Sequence, residues 1–281
     1  MKIVKGSWLI PIGRTYWGRI VFLNLDGQSP HIKIAGVTGA GKSVAMTSIL
    51  YFLCRQQSPG KVNIQIIDLK GGATFAAFQR LPHVTEIAYD TQTALNVLTN
   101  AAGEMWQRLE LIKRARVMFE PEPTFPKLVI VIDEGGELAP ADAINEEKKL
   151  REQCMDVLSS LARVGRESGV RIIYGTQRPD KNTLPMTVRP QMENTLCFRV
   201  SEHYDSKIVL GHEGAEQLPK YPGRMLYKTP AGEIEVQGVY VASDVLSKWL
   251  QSYPLKDENM LTPSINTDVS SFVLEWLDFP G

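Results

Sequence analysis

The sequence predicts an α/β protein built on a mostly parallel, doubly wound sheet, and three observations carry that expectation. Residues Gly36-Val37-Thr38-Gly39-Ala40-Gly41-Lys42-Ser43 form a complete G-x-x-x-x-G-K-S octet between a short apolar stretch, Ile32 to Ala35, and a helix-compatible run, Val44 to Leu53. Leu128-Val129-Ile130-Val131-Ile132 is an unbroken aliphatic run ending in Asp133-Glu134, the pattern of a strand buried on both faces. Strand-like and helix-like segments alternate along the chain, as in parallel sheets wound with helices.

The elements follow in order. Residues 1–30 suggest short strands leading up to the core, and 32–35 is the strand before the octet. Val62 to Asp68 and Val84 to Ala88 read as strands, rich in β-branched residues. Asp90 to Val117 reads as a long helix whose apolar face is supplied by Leu95, Leu98, Ala102, Met105, Leu109 and Leu111. The polar segment from Ala139 leads into a helix ending near Gly165. Val170 to Tyr174 and Thr195 to Val200 are strands, and Asp205 to Leu210 is helical. From Gly223 a hairpin pair turns at Pro230-Ala231-Gly232. The expected division is an N-terminal strand segment (1–30), an ATPase core (31–254) and a tail (255–281). The tail is acidic and proline-spaced, ends in an apolar Phe272-to-Leu277 cluster, and is expected to fold back on its own domain, with docking on a partner as the alternative.

The octet carries the chemistry. Glycines at 36, 39 and 41 let the backbone curl so that N–H groups point at phosphate oxygens, with a helix N-terminus behind them. Gly36 through Ser43, with Val44, are therefore the expected binding residues for ATP. Lys42 reaches the β- and γ-phosphates, and the Ser43 hydroxyl ligates Mg²⁺. Acids at the C-terminal end of a parallel strand emerge where such sheets place ligands. Asp133 is expected to hold Mg²⁺ through water and Glu134 to polarise the attacking water, which makes the chain an ATP hydrolase.

Charge and cysteines bound the rest. Lysine plus arginine equals aspartate plus glutamate at 31 each, so any nucleic-acid contact must come from a local patch or channel. Three scattered cysteines, Cys54, Cys154 and Cys197, form no C-x-x-C, and the four histidines lack ligand spacing, which argues against disulfides and zinc. No apolar run has the length of a membrane span, and residues 1–11 are too short in their apolar part for a signal peptide. The expected setting is cytoplasmic, with membrane recruitment only through a partner.

Further stretches narrow the class. Gly165-Arg166-Glu167-Ser168-Gly169-Val170 precedes Tyr174-Gly175-Thr176-Gln177-Arg178-Pro179. Pro30-His31-Ile32 leads into the octet, and the second strand ends in Asp68-Leu69-Lys70. Pro82-His83, Glu104-Met105, Arg108, Asp205-Ser206-Lys207, Gly214-Ala215-Glu216 and Gly223-Arg224-Met225-Leu226-Tyr227 follow in order. In these residues, from about Ile12 to Lys248, the chain resembles the FtsK/SpoIIIE-type DNA translocase motor. The resemblance implies a RecA-like fold, assembly as a homo-oligomeric ring, usually of six subunits, around DNA, and nucleotide bound between neighbours. Arg166 matches the arginine that acts in trans on the γ-phosphate, with Arg163, one turn earlier, as the rival; Gln177 matches the γ-phosphate-sensing residue.

Two departures accompany the likeness. Thr195 and Lys207 stand where the family commonly carries arginine. After Val241 the expectation is a short tail only, where full chromosome translocases continue into a winged-helix module, and no membrane domain. The expectation is a motor of the plasmid, conjugative-element or phage kind that depends on a recruiting partner. Lys70 to Phe75 is also similar to segments of type VII secretion ATPases, which leaves protein export as the alternative to DNA translocation. The case for DNA in the residues rests on Arg178, Lys181 and Arg189, a basic loop set against Asp180. Such contacts are sequence-independent and salt-sensitive. The rival is that this loop meets acids of a neighbouring subunit, including the 134–147 region.

Overall fold

The computed structural model describes residues 4–177, 179, 183, 188–254 and 275–276. Six strands form a parallel core: β3 (Ile32–Ala35), β4 (Val62–Ile67), β5 (Val84–Ala88), β6 (Lys127–Ile132), β7 (Val170–Thr176) and β8 (Asn194–Phe198). Four more extend one edge as antiparallel partners: β1 (Leu9–Arg14), β2 (Ile20–Asn24), β9 (Arg224–Thr229) and β10 (Gly232–Tyr240). The order across the sheet is β2-β1-β10-β9-β8-β3-β7-β6-β4-β5, and the two-residue strand β11 (Glu275–Trp276) pairs with the end of β10. Aliphatic, β-branched runs are buried along β3, β4, β6 and β7, as a strand covered on both faces requires.

Helices cover both faces. On one face lie α1 (Lys42–Gln56) and α5 (Ser243–Gln251), joined by an edge-to-face contact of Tyr51 with Trp249 at 4.9 Å, worth about 0.5–1.5 kcal/mol beyond area burial. On the other lie α2 (Thr91–Met118), α3 (Asn145–Val164) and α4 (His203–Leu210). Asp90 caps α2 by accepting from the Thr93 N–H at 2.8 Å. The helix ends at Phe119 in the left-handed region, φ 56°.

The order of strands and helices matches the expected one, with two differences of detail. The buried stripe of α2 runs through Ala94, Val97, Leu98, Ala101, Met105, Ile112 and Ala115, so Leu111, assigned to that face from sequence, is exposed instead. Leu111 lies one residue, about 100° of arc, before Ile112, which holds the stripe. Helix α5 had no counterpart in the sequence assignment; its buried residues, Trp249 and Leu250, sit near its end. Among the described residues no helix is long and apolar enough to cross a membrane. The three cysteines are buried and free.

Candidate nucleotide site

The site sits where the sheet changes winding direction. Strand β3 is central, flanked by β7 on one side and β8 on the other, so the chain leaves its C-terminal end into a natural crevice. Gly39 and Gly41 take φ values of 81° and 113°, which curl residues 36–41 before α1 begins. The loop is anchored through Gly36 N–H to Thr176 O at 3.2 Å, Val37 N–H to Arg199 O at 3.0 Å and Gly223 N–H to Ala40 O at 2.9 Å. The first turn of α1 has neither a capping side chain nor an acid, so its N-terminal dipole is left uncompensated toward the loop.

Four sequence-predicted residues converge there. The buried Lys42 ammonium donates to Asp133 Oδ1 at 2.9 Å and to the Asp133 carbonyl at 2.5 Å. Glu134, whose side chain is only 4% exposed, accepts the Gln177 N–H on both oxygens, at 2.9 and 3.0 Å. The Gln177 side chain in turn accepts from Thr38 Oγ1 in the loop at 3.0 Å. These contacts are possible because β6 and β7 approach closely at their ends: a Cβ on Gly175 would lie 2.3 Å from the Asp133 carbonyl oxygen.

The donor set fits a hard cation. Ser43 opens α1 beside Lys42, and Asp133 is buried at the loop. Asp68, at the end of neighbouring β4, has a buried Oδ2 without a hydrogen-bond partner. Burial first, and the nearby Asp133 second, raise the Asp68 carboxyl above its ordinary range. Among the described residues no cluster of three histidine, cysteine or acidic side chains forms a metal cage. Mg²⁺ takes one or two carboxylates together with phosphate oxygens and water, a set to which Ser43 and Asp133 could contribute.

Other predicted residues lie elsewhere. Arg166 follows α3 in the turn before β7, at the opposite end of that strand from the loop. Arg166 donates to the Gln28 carbonyl at 3.1 Å and shares a cavity of about 420 Å³ with Arg163, His31, Glu167 and Glu193. The chain's own Arg166 therefore does not reach its own phosphate loop. Arg178 and Lys181 lie outside the described residues. Arg189, in a short 3₁₀ turn before β8, lines a groove of about 410 Å³ with Lys33, Lys207 and Lys228, against Glu193 as the acid. Lys33 is buried at the floor of this groove; burial first, then the Arg189 guanidinium, bring its ammonium down to about 8. Sequence reasoning missed Lys33 and Lys228 as members. Its one available signal was a lysine alternating with isoleucines in Ile32-Lys33-Ile34. It also missed the role of Lys70, whose ammonium lies 3.1 Å from Glu134 Oε2.

The geometry is that of a RecA-like P-loop ATPase, and comparison with known proteins agrees. Over residues 4–119 the chain matches the model of the FtsK/SpoIIIE family. It is 31% identical to the ESX-4 secretion system protein EccC4 of Mycobacterium tuberculosis over 80% of this chain and 19% of that protein. It is 28% identical to the DNA translocase FtsK of Bacillus cereus over 85% of this chain and 31% of that one. Among solved structures, the pCW3 conjugation coupling protein TcpA, in its monomer form with ATPγS, superposes with a TM-score of 0.76 at 26% identity, covering 89% of this chain and 71% of that chain. This domain thus spans about a fifth to a third of the length of these curated relatives.

Proposed function

We propose that the chain hydrolyses ATP between subunits of a homo-oligomeric ring, with six subunits as the expected number, and uses the cycle to move DNA through the ring. The observation that carries this reading is the convergence of Lys42, Asp133, Glu134 and Gln177 on the phosphate loop, in a chain similar to proteins named DNA translocases. Loop N–H groups and the N-terminus of α1 bind the phosphates of ATP. Lys42 leaves Asp133 to meet the β- and γ-phosphates. Ser43 and Asp133 hold Mg²⁺, which when bound neutralises charge on the phosphates. Glu134 orients and polarises the attacking water, and Gln177, tied to Thr38, reports occupancy of the loop.

Arg166 supplies positive charge to a neighbour's nucleotide, in keeping with its position far from its own loop; Arg163 borders the same cavity and is the other candidate. The track is gripped without base reading. Arg189, Lys33, Lys207 and Lys228 form a cationic groove in a chain of zero net charge, and backbone phosphates are its natural ligand. Arg178 and Lys181 extend this set as proposed contacts. A recruiting protein partner provides the address.

The test is steady-state ATP hydrolysis at low salt, alone and with double- or single-stranded DNA, with Glu134→Gln as the blank. Stimulation by one form of DNA supports the reading and names the track. The likeness to EccC4 favours a second reading, a protein-translocating ATPase. It takes precedence if turnover depends on Glu134, ignores DNA and rises with a secreted polypeptide.

A further inference from the structure

The Asp68-Leu69-Lys70 segment reaches the reacting centre without being part of the phosphate loop or the strand that carries the two acids. Asp68 directly follows β4 and is buried at the start of the loop that comes after it. Gly71 and Gly72 both take left-handed φ values, 81° and 71°, so the chain turns back at once and the Lys70 side chain is left over the end of β6. There its ammonium lies 3.1 Å from Glu134 Oε2.

This contact completes a set. Glu134 already accepts the Gln177 N–H on both oxygens, so its carboxylate is turned toward β7 and its lone pairs are held by the chain's own donors. A carboxylate so engaged polarises water poorly, because its negative charge is already spent on two donors. We propose that Lys70 is a positioning residue that latches Glu134 in this withheld orientation and so restrains hydrolysis until an activator draws Lys70 away. The inference rests on the ATPase reading above and adds a regulator to that same site.

The two holds on Glu134 are independent. The Gln177 N–H belongs to a residue whose side chain is bonded to Thr38, so it responds to events in the phosphate loop. Lys70 belongs to a different segment, the loop that follows β4. Its side chain is 36% exposed while that of Glu134 is 4% exposed, so of the two only the lysine is open to a group arriving from outside. Nucleotide alone then releases one hold and leaves the other. Low basal turnover, raised by an activator with little change in nucleotide affinity, is the consequence.

The experiment compares wild type, Lys70→Met, Lys70→Arg and the double variant Lys70→Met/Glu134→Gln in ATP turnover without DNA or partner, with binding of a fluorescent ADP as a check on the nucleotide site. The latch predicts that Lys70→Met raises kcat about two- to fivefold, the range for a partly exposed pair worth up to about 1 kcal/mol acting on the barrier. KM stays unchanged, Lys70→Arg restores the wild-type rate, and the double variant is silent. A Lys70→Met rate equal to or below wild type, with ADP binding intact, overturns the latch. If Lys70→Met fails to bind ADP, Lys70→Gln is judged by the same criterion. Wild-type turnover that vanishes in Glu134→Gln while Lys70→Met gives no gain leaves the ATPase reading standing and removes the latch alone. Silence of wild type and of every Lys70 variant, both in this assay and with either form of DNA or a secreted polypeptide added, removes both.

Discussion

The two ends of the parallel sheet are organised in opposite ways. At the C-terminal ends of the strands, each functional side chain is matched inside the chain: Lys42 by Asp133, Glu134 by the Gln177 N–H and Lys70, Gln177 by Thr38. Toward the N-terminal ends, cations gather with few acids. Lys33, Arg189, Lys207 and Lys228 share one groove, and Arg163 and Arg166 share the neighbouring cavity, with Glu193 lining both. The first region is a finished site needing only its ligand. The second is rich in cations that already have partners, Lys207 with Glu213 at 2.8 Å and the Lys228 ammonium with the Leu210 carbonyl, so an external polyanion must compete with these contacts. Zero net charge over the chain conceals this polarity.

The largest effect expected from breaking the comparison lies at the matched end. Glu134→Gln should lower kcat by about 10²–10⁴-fold, the range for removing a group that moves or polarises a proton in the transition state, while nucleotide binding persists. Lys42→Ala should lose nucleotide binding itself. Single-turnover hydrolysis alongside equilibrium ADP binding separates the two, and normal turnover in Glu134→Gln would remove the catalytic assignment.

The matched end was also the legible one. The octet, the 128–132 run and Asp133-Glu134 are contiguous in sequence, and a parallel sheet has one place for a loop after a central strand and for acids after its neighbour. The partners of these residues were less legible. Thr38 to Gln177 spans 139 positions and Lys70 to Glu134 spans 64, and nothing local announces either contact. The cationic groove was the least legible part, since it draws on β3, α4, β9 and the turn before β8. Leu111 shows the same limit on a smaller scale: its hydrophobicity placed it on the core face of α2, and only the actual packing of the helix gave that face to Ile112.

A second contrast involves His31, buried at the start of β3, where its Nδ1 accepts the Ile172 N–H at 3.1 Å. Burial, reinforced by the Arg171 charge, lowers its pKa from 6.5 to about 4. Between those values the unfolded chain binds a proton that the folded chain refuses, so stability falls as pH drops from about 6.5 toward 4. The loss from this group is about 3 kcal/mol, taking 1.36 kcal/mol per pKa unit. Denaturant melts at pH 7 and pH 4.5 should show this slope in the wild type and a shallower one in His31→Asn, which keeps an acceptor but does not titrate there. Equal slopes would locate the acid sensitivity in other groups.

Gly175→Ala tests how tightly the matched end is built. The added methyl would meet the Asp133 carbonyl oxygen, so β6 and β7 must part. A cost of about 1–3 kcal/mol, as for overpacked cores, is expected in denaturant melts, together with weaker turnover because Asp133 and Glu134 both shift. A fully stable, fully active variant would mean that the strand ends have slack.

The smallest energetic change, and the most specific, belongs to the cation-rich end. Arg189→Ala and Lys228→Ala should each weaken DNA binding and take about one unit from the slope of log affinity against log salt, because each removes one phosphate contact and its released counterion. Neither should alter ADP binding, since both lie away from the phosphate loop. Lys33 adds a pH signature. With its ammonium brought down to about 8 by burial and by Arg189, it is charged at pH 7 and neutral at pH 9, while arginine keeps its charge. DNA binding should therefore weaken between pH 7 and 9 in the wild type, and Lys33→Met should be weaker at pH 7 but insensitive to that change. A wild-type affinity flat from pH 7 to 9, with an unchanged salt slope in Arg189→Ala, would show that the groove meets no phosphate; its cations would then be left to the acids of a neighbouring subunit.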